Sequence, residues 1–388
     1  MVTLFLALPS VLMSAGNDNV HLNDDGAKVS HTVGFNLRPS YVIPTHGFYN
    51  GWNPAGEKIR FSGSVHADYS FTFSEDSEYG KIYPGAYQGV GIGAQTFFAH
   101  DLIGTPLCLY VFQGAPIARL APQLTFDYEW NLGLSAGWNT AESMITASRM
   151  NVYINVGLFL NWRFGGGWNL QFGPEYSHFS NGDTKFPNGG ANTVNFRLGL
   201  RRQVGADADL HQNGRPALFA RTLEDKTFAE RITYDLMAYG AWRADRMVVG
   251  GKLHIIDEAF PLAGVQFNPL YHFNRSLSAG PSLDLMYDGS ANLIAHIAEN
   301  DPFTYSHPSF IRQCAAGLSL RGEIKMPIFA VNIGMGYNFS YTGSELTGLY
   351  GVFALKAFLT DSIFLNIGYR LSSVQYAHNL MFGLGWRI

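Results

Sequence analysis

Beyond its first residues the chain lacks any run of about 18 apolar residues, the length a helix needs to cross a bilayer, so membrane helices are not expected. Charge is scarce as well. Asp, Glu, Lys and Arg make up 14% of the residues and leave a net charge of −4, and Lys and Arg nowhere cluster at the density that a nucleic-acid backbone demands, which excludes nucleic acid as a partner. The two cysteines, Cys108 and Cys314, are too few for a disulfide framework or a metal site. The histidines, His100, His254, His296 and His307 among them, have no HExxH or clustered ligand spacing, so neither a metal nor a cofactor is expected.

What the chain has instead is glycine (43 residues), aromatics (14%) and apolar residues (47%) dispersed rather than in runs. That combination suits alternating membrane strands, which need only about 9 to 11 tilted residues each. Asn151 to Phe164 is the clearest: Val152, Ile154, Val156, Leu158, Leu160 and Trp162 alternate with Asn151, Asn155, Gly157, Asn161 and Arg163, giving one face for lipid and one for water. The last two segments repeat the pattern, with Ile363, Leu365, Ile367, Tyr369 and Leu371 in one and Leu380, Phe382, Leu384, Trp386 and Ile388 in the other. The expected fold is all-β, an antiparallel transmembrane β-barrel of about 14 to 16 strands. A single closed barrel is favoured because the strongest terminal strand is at Ile388; two smaller eight-stranded barrels in tandem are the alternative.

Apolar Val2 to Met13 followed by small Ser14, Ala15 and Gly16 reads as a signal peptide over residues 1–16, although no Lys or Arg precedes Lys28, so the usual positive n-region is missing. Residues 17–204 form a first half, 205–226 a polar linker and 227–388 a second half. An internal echo, Tyr128, Trp130, Asn131 and LSAG at 134–137 against Tyr271, Phe273, Asn274 and LSAG at 277–280, suggests a duplicated hairpin. It also makes GLSAG at 133–137 a structural match to the G-x-S-x-G elbow rather than a nucleophile, since that motif needs a strand, a turn and a helix. The connections at 165–167, 274–276 and 360–362 are short and those at 139–150, 181–191 and 289–310 long, so the long ones mark the outer side.

One hairpin carries polar residues where only apolar ones are expected. Trp168, Leu170, Phe172, Pro174 and Tyr176 line one face of its first arm, and Val194, Phe196, Leu198 and Leu200 that of its second. His178 and Ser180 continue the first series and Asn192 the second, so Asn192 falls opposite His178 near the outer end. A serine becomes a nucleophile when an adjacent base takes its proton, and that base works best when a third group fixes its orientation. His178, Ser180 and Asn192 are the candidates, with Glu175 excluded by parity and Asp183 in the loop as a substitute third member. Read as spacing alone, the same residues are also consistent with a polar rim at the membrane interface.

The run HFSNG followed by PNGGAN, from His178 to Asn192, resembles the active-site hairpin of the PagL-type lipid A deacylases. The resemblance covers roughly residues 150–204. It implies an outer-membrane serine esterase that removes an ester-linked acyl chain from lipid A, with His178 as base, Ser180 as nucleophile, and Asn181 and Asn188 in the oxyanion environment. The chain departs from the family at Asn192, where the pattern has glutamate; asparagine can accept a hydrogen bond from imidazole but cannot offset an imidazolium charge. The partner implied is lipid A in the outer leaflet of the bacterial outer membrane. The competing expectation is a non-enzymatic pore or transporter, and the face on which His178, Ser180 and Asn192 lie separates the two.

Overall fold

Runs in which every second residue is apolar cannot present a helical stripe; as strands they place all their apolar side chains on one face. In the computed structural model, which describes residues 29–74, 77–141, 144–204, 227–296, 303–343, 346, 348–372 and 376–388, such runs close into two antiparallel barrels of eight strands each. The signal peptide expected at 1–16 and the linker expected at 205–226 lie outside the described residues.

The first barrel comprises β1 (Val29–Val42), β2 (Phe61–Phe73), β3 (Tyr87–Thr96), β4 (Gly104–Ala121), β5 (Leu124–Trp138), β6 (Met150–Gly165), β7 (Trp168–Ser180) and β8 (Ala191–Val204). Each strand pairs with the next, and β8 returns to β1 with Val204 opposite His31 and Val194 opposite Tyr41. The second barrel comprises β9 (Ile232–Val249), β10 (Lys252–His272) and β11 (Leu277–Asp288), then β14 (Cys314–Lys325), β15 (Phe329–Ser340), β16 (Leu349–Phe358), β17 (Ile363–Ser372) and β18 (Tyr376–Arg387). Between β11 and β14 a small ladder of β12 (Ile294–His296) and β13 (Thr304–Ser306) interrupts a long connection, and β18 closes on β9. Of the two arrangements the sequence allows, the tandem is therefore the one formed. Alternation reveals that β8 is a strand but not which strand satisfies its free edge, and β1 does so within the first half.

Side-chain parity follows the sequence. In the first barrel Val194, Phe196, Leu198 and Leu200 are exposed on the outer surface, and Trp168 and Phe172 are half-buried on the same side. Gln171, Glu175 and Arg197 are buried inside. Eight strands enclose a space just wide enough for side chains; here charged and aromatic side chains cross its middle, and a polar cavity lined by Thr72, Asp127, Asn161 and Arg201 lies toward the short-turn end. Arg197 Nη2 lies 2.5 Å from Glu129 and 2.6 Å from Glu175, and Arg38 Nε lies 3.1 Å from the other oxygen of Glu175. Arg38 also donates to the Tyr153 hydroxyl, and Phe159 lies under the Arg197 guanidinium. The second barrel has its own cluster, in which Lys356 and Arg387 bridge Asp235 and Glu323. This packing disfavours the pore expectation for the first barrel.

The repeated LSAG is not a duplicated hairpin. Its first copy lies wholly within β5, whereas its second follows the turn between β10 and β11. Ser135 is buried, donates to Asn151 O and accepts from Trp138 Nε1, so GLSAG lies in a strand and is no nucleophile elbow.

Arg197 is the one cation touching both Glu129 and Glu175 among the described ion pairs of that cluster. Replacing it by leucine leaves Glu175 with Arg38 but removes the cation that Glu129 touches, and breaking a buried pair in this way costs about 3–5 kcal/mol. The urea midpoint of Arg197→Leu folded in lipid vesicles should fall accordingly. An unchanged midpoint would mean that lumen water solvates the Glu129 carboxylate.

Candidate active site

Phe179 decides where its neighbours point. It is buried in the apolar cluster at the long-connection end of the first barrel, with its ring 5.1 Å from Tyr153 and 5.2 Å from Trp138. Successive residues of a strand face opposite ways, so anchoring Phe179 inward turns His178 and Ser180 outward. Tyr176, two residues earlier, is 39% exposed on that outer face, and Val194 on β8 is exposed beside it. His178 is half-buried, and Ser180 has the outward parity yet is 2% exposed.

The hairpin register pairs His178 with Asn192 and Phe179 with Ala191. His178 Nδ1 lies 2.7 Å from Asn192 Oδ1. A carbonyl oxygen can only accept, so Nδ1 carries the proton and Nε2 keeps its lone pair, which is the tautomer a general base needs. The same Oδ1 accepts from the Tyr176 hydroxyl at 2.6 Å, and Asn192 Nδ2 donates to Thr45 Oγ1 at 3.3 Å. Glu175 is on the inner face with Arg38 and Arg197, as parity required.

The connection between β7 and β8 is tied down on several sides. Gly190 N donates to Ile145 O at 2.9 Å, Tyr49 donates to Gly190 O at 2.8 Å, and Ala147 N donates to Pro187 O at 2.8 Å. Burial pushes the Tyr49 phenol well above its ordinary pKa, so it remains a donor. Gly190 has φ of +64°, and a Cβ there would stand 3.6 Å from His178 Cε1 and 3.9 Å from Ser180 Cβ. The two side chains thus flank a single point that only glycine leaves open. Asn181 N donates to Asn188 Oδ1 at 3.1 Å, and Asn181 Nδ2 donates to Lys185 O at 2.7 Å.

Two family models divide the chain between them. Residues 45–201 match lipid A 3-O-deacylase (PagL), and residues 232–388 match the C-terminal domain of acyloxyacyl hydrolase (PagL_C). The chain belongs to the PagL family. As a PagL-family protein it is an ester hydrolase, a lipid A deacylase of the bacterial outer membrane. The curated proteins contain no match. Among solved structures, the Pseudomonas putida toluene transporter TodX is similar at 9% identity, covering 97% of this chain and 92% of its own, with a TM-score of 0.18. The siderophore receptor PirA from Pseudomonas aeruginosa is similar at 8% identity, covering 92% of this chain and 80% of its own, with a TM-score of 0.27. Likenesses at these scores bear on neither the strand count nor the function.

His178 and Asn192, expected side by side, are in contact, and Asn181 is in contact with Asn188. Sequence reasoning missed Thr45 and Tyr176. Thr45 lies far away along the chain, in the connection after β1, and Tyr176 reads as one more apolar-face residue until its hydroxyl is seen on Asn192. The second barrel holds a superficially similar set, but there Ser290 donates to Asp288 rather than to His378, and Arg243 occupies the other oxygen of Asp288. No base and nucleophile are paired in it by these contacts.

Gly190→Ala tests whether the gap between His178 and Ser180 matters. The new methyl would meet Phe179 O at 3.1 Å in a left-handed backbone that alanine resists. Displacing reacting groups by about 1 Å can cost 10²-fold in rate, so turnover of purified lipid A should drop roughly 10–100-fold while the barrel remains folded by its heat-modifiable gel mobility. An unaltered rate would mean that the gap is not part of the active site.

Proposed function

We propose that the protein is a serine esterase that releases the acyl chain ester-linked at the 3-O position of lipid A, the position contained in the description of the matched family. Ser180 is the nucleophile, His178 the base and Asn192 the group that orients the base. The observation that carries this reading is the 2.7 Å contact of His178 Nδ1 with Asn192 Oδ1 on the outward face, two residues from a serine of the same parity. A lipid-facing site suits a substrate whose scissile ester arrives from the outer leaflet.

Ser180 Oγ attacks the acyl carbonyl as His178 Nε2 takes the hydroxyl proton. The tetrahedral intermediate collapses with that proton passing to the departing sugar hydroxyl, leaving an acyl-serine. Water, deprotonated by the same nitrogen, then cleaves the acyl-serine to free fatty acid and regenerates Ser180. Ser180 is covered at rest, so the incoming ester has to displace what covers it. Asn188 is the oxyanion donor in this scheme, its side chain positioned at the start of the loop by the Asn181 N–H that its carbonyl accepts. Asn181 serves as the anchor of that arrangement through Asn188 and Lys185.

Ser180→Ala should abolish acyl release, since loss of a nucleophile or its base commonly costs on the order of 10⁴ or more in rate. His178→Ala should match it, and the double variant should be little worse than either, because the two act as one unit. Mass spectrometry of lipid A after incubation with each purified variant reads the outcome. Full release by Ser180→Ala would remove this serine from the mechanism.

A further inference from the structure

An asparagine in the orienting position has a weakness that a carboxylate lacks: its two ends differ. With Oδ1 toward His178 the imidazole is protonated at Nδ1 and keeps a basic Nε2. Turned by 180°, the amide would put its NH₂ group against Nδ1, select the Nε2–H tautomer and leave no lone pair for the Ser180 proton. A glutamate presents an acceptor whichever way it turns.

We infer that Tyr176, assisted by Thr45, is a positioning residue that sets which end of the Asn192 amide meets His178, an inference that rests on the serine-esterase reading. Tyr176 and His178 are two apart on β7 and share its outer face, and Asn192 sits across from them on β8. Both converge on one atom, with Tyr176 Oη 2.6 Å and His178 Nδ1 2.7 Å from Asn192 Oδ1, so both acceptor sites of that oxygen are used. A phenol donates to an amide carbonyl more strongly than it accepts from an amide NH₂, which favours the observed orientation. Thr45 Oγ1 receives the NH₂ end at 3.3 Å from the opposite side. Tyr176 does not touch the reacting bond in this scheme; it acts through Asn192 on the tautomer of His178.

The test is a double-mutant cycle on the full chain in detergent, with lipid A as substrate. Tyr176→Phe keeps the ring and removes the donor; it should lower kcat about fivefold to tenfold, the order of one neutral hydrogen bond, with KM unchanged. In the Asn192→Glu background, where neither end of the carboxylate is wrong, the same Tyr176→Phe change should cost less than twofold. Thr45→Val should show the same pattern with a smaller amplitude. A loss in Tyr176→Phe that is equal in both backgrounds, or that appears in KM, would overturn the inference in favour of a packing or substrate-contact role. No loss in the Asn192 background would overturn it too. Ser180→Ala run alongside separates the two levels: activity there defeats the esterase reading, whereas inactivity there with additive Tyr176 and Asn192 effects defeats only the positioning role.

Discussion

Lipid offers no hydrogen bonds to a backbone, and every other feature of this chain depends on how its strand edges are satisfied. The pairing of β8 with β1 closes the first barrel within the first half of the sequence, and that of β18 with β9 closes the second. Closure at eight strands leaves room for side chains but not for a channel. The polar faces therefore meet one another in each interior, where Arg38, Arg197, Glu129 and Glu175 neutralise one another in the first and Lys356, Arg387, Asp235 and Glu323 in the second. The candidate residues His178, Ser180 and Asn192 lie on the outer wall near the long-connection end.

The site follows from that constraint. A strand that buries Gln171, Glu175, Ser177 and Phe179 must turn His178 and Ser180 outward. Phe179 is the strongest anchor of the series, being wedged between Trp138 and Tyr153 close to the end of β7 where ladder pairing runs out. The connections of the barrel then complete the site. Thr45 comes from the segment after β1, Ile145 from that after β5, and Gly190 from the return to β8. Separate stretches of chain thus meet at one rim, as is common where a rigid barrel carries its function on loops.

Parity and register were legible in the sequence because they are local. The alternation from Trp168 to Tyr176 and from Val194 to Leu200 was enough to put Asn192 opposite His178 and Glu175 on the far face. Closure was not legible, because a strand edge bears no mark of its distant partner; β8 looks the same whether it pairs with β1 or with β9. Nor was the echo of LSAG, whose four residues suit a strand end in β5 and a post-turn start in β11 equally well. Thr45 was invisible for the same reason as closure, since 147 residues separate it from Asn192.

The asparagine at position 192 is where local and distant constraints meet. On a lipid-facing wall an unpaired carboxylate is costly to keep charged, whereas an amide carries no charge to desolvate. The exchange has an electrostatic cost, because an amide stabilises an imidazolium less well than a carboxylate does. It also has an orientational cost, because an amide can turn either end to the imidazole. The hydroxyls of Tyr176 and Thr45 address the second cost alone, one at each end of the amide. On the proposed reading a wall residue of ordinary barrel chemistry, a tyrosine on the outer face, thereby bears on the tautomer of the histidine beside it.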